Sequence, residues 1–297
     1  MSVYQVRGFR AEAFYVSDGD TPEVTFNVET AIRMLAIDTP EKGFYDTRNL
    51  LHVPRNRSRY HESEQFSPIL AQLELDAAVV GTRNAEYDKR HFTGKLTPEC
   101  AEYLSQKLSA GDAAANQMEH ALAATDHLRT IMDRDIFLTY GEQTFDRYNR
   151  LLAFIGRYAK SKRDRGPTYN LQQLQAGMAI NYFIYPNLVD LNQTARSRDI
   201  KNKHVSLARE AVITARDARQ GIWDEANPLI LWPFEFRVLI RRELPNRYCA
   251  DLETLALYRP QEYFKVPAEN RLFFSEEFVP AALYVRGYHK TWEGEPF

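Results

Sequence analysis

The stretch Ala31-Ile32-Arg33-Met34-Leu35-Ala36-Ile37 is apolar at every position but one, and it stops abruptly at Asp38-Thr39-Pro40-Glu41. A short apolar run without alternation reads as a strand covered on both faces, so layers of structure must lie on either side of it. Arg33 is the exception that matters. A guanidinium inside such a strand is costly unless paired, and its planar fork suits a phosphate oxygen.

The neighbouring sequence reads as more β-structure. Phe14-Tyr15-Val16 enters the turn Ser17-Asp18-Gly19-Asp20, whose Asp-Gly pair is a hairpin signal, and Val24, Phe26 and Val28 then alternate with polar residues. Met118, Leu122, Thr125, Leu128 and Met132 recur at helical spacing. Strands are expected at Ile136–Leu138 and Leu151–Ile155, and helices at about Asn170–Ile180 and Ser206–Gln220, the last with an apolar stripe of Leu207, Ala211, Ala215 and Ala218. This order predicts an α+β layout, a small barrel with helices packed against it. No repeat or low-complexity tract interrupts it.

Composition excludes several classes. The 297 residues hold only two cysteines, Cys100 and Cys249, which excludes a disulfide scaffold and a multi-cysteine zinc or iron–sulfur site and fits a reducing compartment. Met1–Phe14 carries Arg7, Arg10 and Glu12 and lacks a signal-length apolar stretch. Gly166–Val189 has no charged residue, yet its amides and the prolines at 167 and 186 do not suit a bilayer. The expectation is a soluble cytoplasmic protein with no membrane contact. No Walker loop, Gly-x-Gly-x-x-Gly or Gly-x-Ser-x-Gly occurs, which disfavours NTPases, Rossmann enzymes and serine hydrolases. The seven histidines show no ligand spacing and are expected in core or surface roles.

Asp20 and Asp38 end two predicted strands. If those ends meet, their carboxylates and nearby carbonyls make a hard-oxygen site of the kind Ca²⁺ prefers, with Glu41 beyond Pro40 able to face the same ion. Taken singly, Asp18–Thr21 reads equally as an ordinary turn, and Thr39-Pro40-Glu41 as an ordinary loop or helix start.

Taken together, Asp18-Gly19-Asp20-Thr21 and Ile32–Glu41 resemble the opening of the staphylococcal nuclease (thermonuclease) family. Phe145–Ile155 is similar to that family's Asp-Lys-Tyr-Gly-Arg-x-Leu-Ala-x-Ile segment. Leu174–Ala179 with Phe183-Ile184-Tyr185-Pro186 looks like its Leu-x-x-Gly-x-Ala helix and tyrosine loop, and Ala208–Asp224 like its last helix with the terminal Trp223. The resemblance implies a five-stranded OB-like barrel with three packed helices and a Ca²⁺-dependent phosphodiesterase that cleaves DNA or RNA and leaves 3′-phosphate ends. By position it implies Asp20, Asp38 and the carbonyl of Thr39 as metal ligands and Glu41 as general base. It implies Arg33 and Arg150 as the phosphate-gripping pair, and Arg147, Tyr148 and Tyr185 as substrate contacts. The chain departs from the pattern at Asn149, where the family has Gly, at Arg147 for Lys, and at Phe183 for Tyr.

The nuclease-like part is expected over residues 1–223, with an insertion at about 42–115 in which Arg55, Arg57, Arg59, Tyr60 and His61 cluster. Residues 224–297 form an expected separate small module, with 14 of the chain's aromatics and seven prolines. Tyr248–Tyr288 looks like the Ada-type metal-binding tail without its four cysteines, a degenerate version. Insertion and tail are the expected routes to a protein partner or self-association. The alternative is a non-catalytic nucleic-acid- or protein-binding module in a repair or defence complex. Degenerate copies usually lose acidic ligands or arginines, and here all are present. The net charge of −2 averages over unlike regions: residues 141–165 and 194–220 each hold seven basic against three acidic residues, which favours phosphate locally.

Overall fold

The computed structural model describes residues 11–18, 21–26, 31–41, 96–146, 150–159, 166–185, 195–240 and 243–274. Ten strands occur among them: β1 (Ala11–Asp18), β2 (Thr21–Phe26), β3 (Ile32–Met34), β4 (Ala36–Asp38), β5 (Ile136–Phe145), β6 (Leu151–Arg157), β7 (Ile180–Tyr185), β8 (Cys249–Asp251), β9 (Leu257–Tyr258) and β10 (Arg271–Phe274). Five helices accompany them: α1 (Pro98–Leu108), α2 (Ala113–Ile131), α3 (Tyr169–Gln175), α4 (Ala195–Asp217) and α5 (Pro233–Ile240). The protein is α+β. Among the described residues the strands form three sheets rather than one closed barrel: β1-β2, β3-β6-β5 and β4-β7-β10-β8-β9.

The helices begin where their sequences offer caps. Thr97 accepts from the Cys100 amide ahead of Pro98, Asp112 accepts from the amides of Ala114 and Ala115, and Thr168 accepts from Leu171, each pairing an amide that the helix itself leaves orphaned. The second predicted helix ends earlier than its apolar pattern extends. α3 stops at Gln175 because Gly177 takes φ +65°, and the chain then enters β7. That turn meets the end of the α4 segment, where Gly221 also has positive φ, and Ile222 donates its amide to the Gly177 carbonyl at 2.8 Å.

The apolar run at 31–37 is not one strand. Met34 ends β3, which pairs in parallel with β6 (Arg33 opposite Leu152), and Ala36 begins β4, which pairs antiparallel with β7 (Asp38 opposite Ile180). Ala36 has φ +68°, a left-handed backbone rare for a residue with a Cβ. This bend transfers the chain from the three-stranded to the five-stranded sheet. Buried Asn170 of α3 braces it, donating to the Leu35 carbonyl at 2.7 Å and accepting from the Ile155 amide at 2.9 Å. Two other buried amides of this uncharged segment donate, Gln173 to Ala124 O and Asn181 to Glu269 O.

Residues from the two ends of the chain share a sheet. β10 lies parallel to β7 and antiparallel to β8, and all four of its residues are buried. Its faces alternate between two cores. Phe273 joins α1, the start of α2, α5, Tyr263 and Val266. Leu272 and Phe274 join Ile37, Leu174, Phe183 and the inner face of α4. Ion pairs fasten the same junction, since Arg216 of α4 meets Glu269 at 2.9 Å and Arg209 meets Asn270 and Glu253. No helix among the described residues is long and apolar enough to cross a membrane.

Candidate functional site

Strand β4 delivers Asp38 to a position with no solvent exposure, a setting in which a carboxylate must be paired. Arg33, five residues back on β3, donates from Nη2 to Asp38 Oδ1 at 2.7 Å. The bend at Ala36 makes this local pairing possible. Thr39 and Glu41 follow at the end of the strand, half-buried. The Glu41 backbone is held by the fully buried Gln117 of α2, whose amide, oriented to satisfy both its ends, accepts from Glu41 N at 3.0 Å and donates to Leu231 O at 3.2 Å.

A residue that the sequence reading did not single out dominates the site. Arg237, on α5, donates to both oxygens of Asp38, Nη1 to Oδ1 at 2.9 Å and Nη2 to Oδ2 at 2.8 Å, and Nη1 also reaches Glu41 Oε1 at 2.5 Å. The Tyr182 ring covers the guanidinium at 5.8 Å. Burial by itself pushes the Asp38 carboxyl up, but the adjacent Arg237 and Arg33 charges outweigh it and hold the group below the usual carboxylate value. Burial likewise opposes the Arg237 charge, and Asp38 and Glu41 overcome that, raising it well above the ordinary arginine value. A signal for Arg237 existed in Pro233-Phe-Glu-Phe-Arg-Val-Leu-Ile, a lone arginine in an apolar helix that demands a partner just as Arg33 does.

The helix carrying Arg237 is itself pinned. Glu235, fully buried, accepts from the Trp232 amide at 2.8 Å, as a glutamate does in a capping box, and also from Lys107 Nζ at 2.7 Å and the Tyr103 hydroxyl at 2.9 Å, both on α1. Lys107 lies over the Trp232 ring, 4.5 Å from its centroid. Burial lowers the Lys107 pKa, with Glu235 acting against the shift. Helix α1, within the stretch expected as an insertion, therefore helps to fix the element that reaches Asp38.

The remaining expected site residues are placed as follows. Arg150 stands one residue ahead of β6, and the register of β6 against β3 sets it two positions from the residue opposite Arg33. Its side chain is engaged by Asp146, Nε to Oδ2 at 2.7 Å, across the β5–β6 turn. Tyr185 ends β7 with its ring tilted against Phe274 at 5.8 Å. Phe183, two residues earlier, is wholly buried in the core. Asp20, Arg147 and Tyr148 lie outside the described residues, as does 42–95 of the expected insertion. Three histidines have structural partners: His120 bonds to Asn227 O, His127 to Gln173, and His204 stacks on Phe154.

Among the described residues no group of three or more His, Cys, Asp or Glu side chains could hold a metal ion. The donors present nevertheless suit a hard cation. The carboxylates of Asp38 and Glu41 converge on a single positive charge, the Arg237 guanidinium.

No family model matches the chain. It is similar to Endonuclease YhcR of Bacillus subtilis (strain 168), with 30% identity over 207 residues, which cover 68% of this chain and 14% of that protein. The chain therefore spans about one seventh of the length of the curated relative that it matches.

Proposed function

We propose that this chain is a thermonuclease-like, Ca²⁺-dependent phosphodiesterase that cleaves DNA or RNA and leaves 3′-phosphate ends. One observation carries the reading: a buried aspartate and a glutamate three residues on converge on one guanidinium, and the strand arginine Arg33 pairs with the same aspartate. Similarity to a protein named as an endonuclease agrees with it. We read the strands as parts of a five-stranded OB-like barrel, with Ile32–Asp38 as a corner where the chain changes sheets, and residues 224–297 as a degenerate Ada-like tail.

In this reading Asp20, Asp38 and the Thr39 carbonyl hold Ca²⁺, which when bound supplies a Lewis acid to a phosphodiester oxygen. Glu41 accepts the proton of the attacking water at its carboxylate. Arg33 and Arg150 grip the non-bridging oxygens as negative charge builds on them, a task suited to permanently charged, forked donors. Arg147, Tyr148 and Tyr185 orient the nucleotide. Arg150 gives up its bond to Asp146 for the phosphate, and the pairing keeps its side chain ordered until then.

A second reading has an observation in its favour. Arg237 neutralises Asp38 and Glu41, as befits a non-catalytic module that binds nucleic acid or protein. Full-chain protein incubated with single- and double-stranded DNA and RNA, with Ca²⁺ or with chelator, separates the two. Ca²⁺-dependent cleavage, lost in Glu41→Gln, with ends that resist polymerase extension until phosphatase treatment, is the expected result. Absence of Ca²⁺-dependent cleavage selects the second reading, and a fully active Glu41→Gln removes Glu41 from the role of general base.

A further inference from the structure

Asp38 and Glu41 already hold a positive charge. Arg237 occupies both oxygens of Asp38 and one of Glu41, and Arg33 shares Asp38 Oδ1. Two carboxylates and two guanidiniums leave the buried cluster neutral. A divalent cation added with Arg237 in place would leave a net double positive charge there, which a low-dielectric setting penalises. The same cation entering as Arg237 leaves meets two carboxylates opposed by Arg33 alone. Arg237 is also no stray surface chain. Its side chain is only 18% exposed, and the helix behind it is fixed through Glu235 to Lys107 and Tyr103. A fixed helix with a flexible side chain can exchange one bonding state for another without unfolding the site.

We propose that Arg237 is a built-in competitor for the cation position at Asp38, beside the proposed base Glu41, so that exchange with this guanidinium sets the affinity of the site for a divalent cation. The inference rests on the cation reading given under Proposed function. When the competent state of a site is only fractionally populated, apparent affinity falls by that fraction. Removing the competitor therefore strengthens binding, without any new ligand.

Calorimetric titration of the full chain with CaCl₂ tests this in the wild type, Arg237→Gln and Arg237→Lys, with folding checked by circular dichroism. Arg237→Gln is expected to bind Ca²⁺ about tenfold or more tightly than the wild type, while Arg237→Lys, which keeps the charge, stays within a few-fold of it. Wild-type protein labelled with ¹⁵N-arginine supplies a readout that needs no variant. The Nη signals of a guanidinium locked by two carboxylates should change to those of a freely rotating group at saturating Ca²⁺. Equal Ca²⁺ affinity in the wild type and a folded Arg237→Gln overturns the competition but leaves the cation reading intact. No Ca²⁺ binding to either folded protein overturns both. If Arg237→Gln does not fold, the wild-type signals decide, and Arg237 resonances unchanged at saturating Ca²⁺ overturn the proposal.

Discussion

The contact between Asp38 and Arg237 joins residues 199 positions apart, and a thermodynamic cycle built on it examines the whole arrangement of the site. Asp38→Asn leaves two guanidiniums without their carboxylate. Arg33, 29% exposed, can turn to water, whereas Arg237 is largely enclosed and retains only Glu41. Removing one partner of a buried pair costs about 3–5 kcal/mol, and the surviving bond to Glu41 places Asp38→Asn near 3 kcal/mol by the same rule. Arg237→Met keeps the volume and strands Asp38, which has no exposure and then depends on Arg33 alone; a similar loss of about 3 kcal/mol follows. The double variant strands neither group, and its loss should fall short of the summed singles by about 2 kcal/mol. Urea unfolding followed by tryptophan fluorescence reads these differences, since ~3 kcal/mol moves the midpoint by ~1 M at an m-value of ~3 kcal/mol/M. Additivity to within ~0.5 kcal/mol would show that the two side chains do not meet, and the competition inferred for Arg237 would fall with the contact.

Three further predictions concern the frame around the site. A Cβ on Gly177 would lie 2.2 Å from the Gln220 carbonyl oxygen, and one on Gly221 would lie 2.2 Å from that of Gly177, both at positive φ; Gly177→Ala and Gly221→Ala should each cost about 3 kcal/mol or more in urea unfolding, and a loss below about 1 kcal/mol would refute the close approach. The folded Asp38 carboxyl titrates below its ordinary value of 3.8, so the unfolded chain takes up its proton first as pH falls. The stability from Asp38 is therefore complete well above pH 3.8 and is lost as pH drops through the lower folded value. Arg237→Met should flatten this acid limb in unfolding measured against pH, and an unchanged limb would contradict the assignment. Cys100 and Cys249 are fully buried, and burial pushes each thiol up to about 12. Neither should react with iodoacetamide at pH 8 in the folded protein, while both react in urea; labelling of the native protein followed by mass spectrometry checks it.

What the sequence made legible was mostly local. The helix around Met118–Met132 was legible from its apolar spacing, whereas α1 was not, although its Thr97 cap acts within three residues. The run at 31–37 was recognisable as buried, and Arg33 as an arginine in need of a partner, because both follow from composition over seven positions. The break at Leu35 was not legible. Nothing in Leu35-Ala36 marks a left-handed residue, and the bend is imposed by the two sheets it joins and by Asn170, 135 positions from Leu35. The match between Leu174–Ala179 and Gly221–Trp223, seen in sequence as two separate blocks, proves to be one contact in which two glycines let their backbones touch. Arg237 obeys the rule applied to Arg33, but its partners lie at the other end of the chain, and no periodicity carries that information.

The same distance effect bears on charge and on how residues 1–223 can be isolated. The basic excess at 194–220 is offset in space, because Glu269 takes Arg216, Glu253 and Asn270 take Arg209, and Glu225 takes Arg219. All of these partners come from beyond residue 223, as does the Arg237 guanidinium on Asp38. A chain ending at Trp223 would lose them together. It would also strip β10 from β7, leaving β7 paired with β4 alone as a sheet edge and uncovering Phe183, Leu174 and the inner face of α4, which pack with Leu272 and Phe274. A newly exposed edge strand with an uncovered apolar face is an aggregation template. The truncation is therefore expected to elute as aggregate in size-exclusion chromatography and to lose its near-ultraviolet dichroism. A monomeric truncation that unfolds cooperatively would show instead that residues 1–223 carry a complete core. In the expected case, activity lost on truncation says nothing about catalysis by the tail, and only single substitutions at Arg237 or Glu235 can separate its electrostatic role from its structural one.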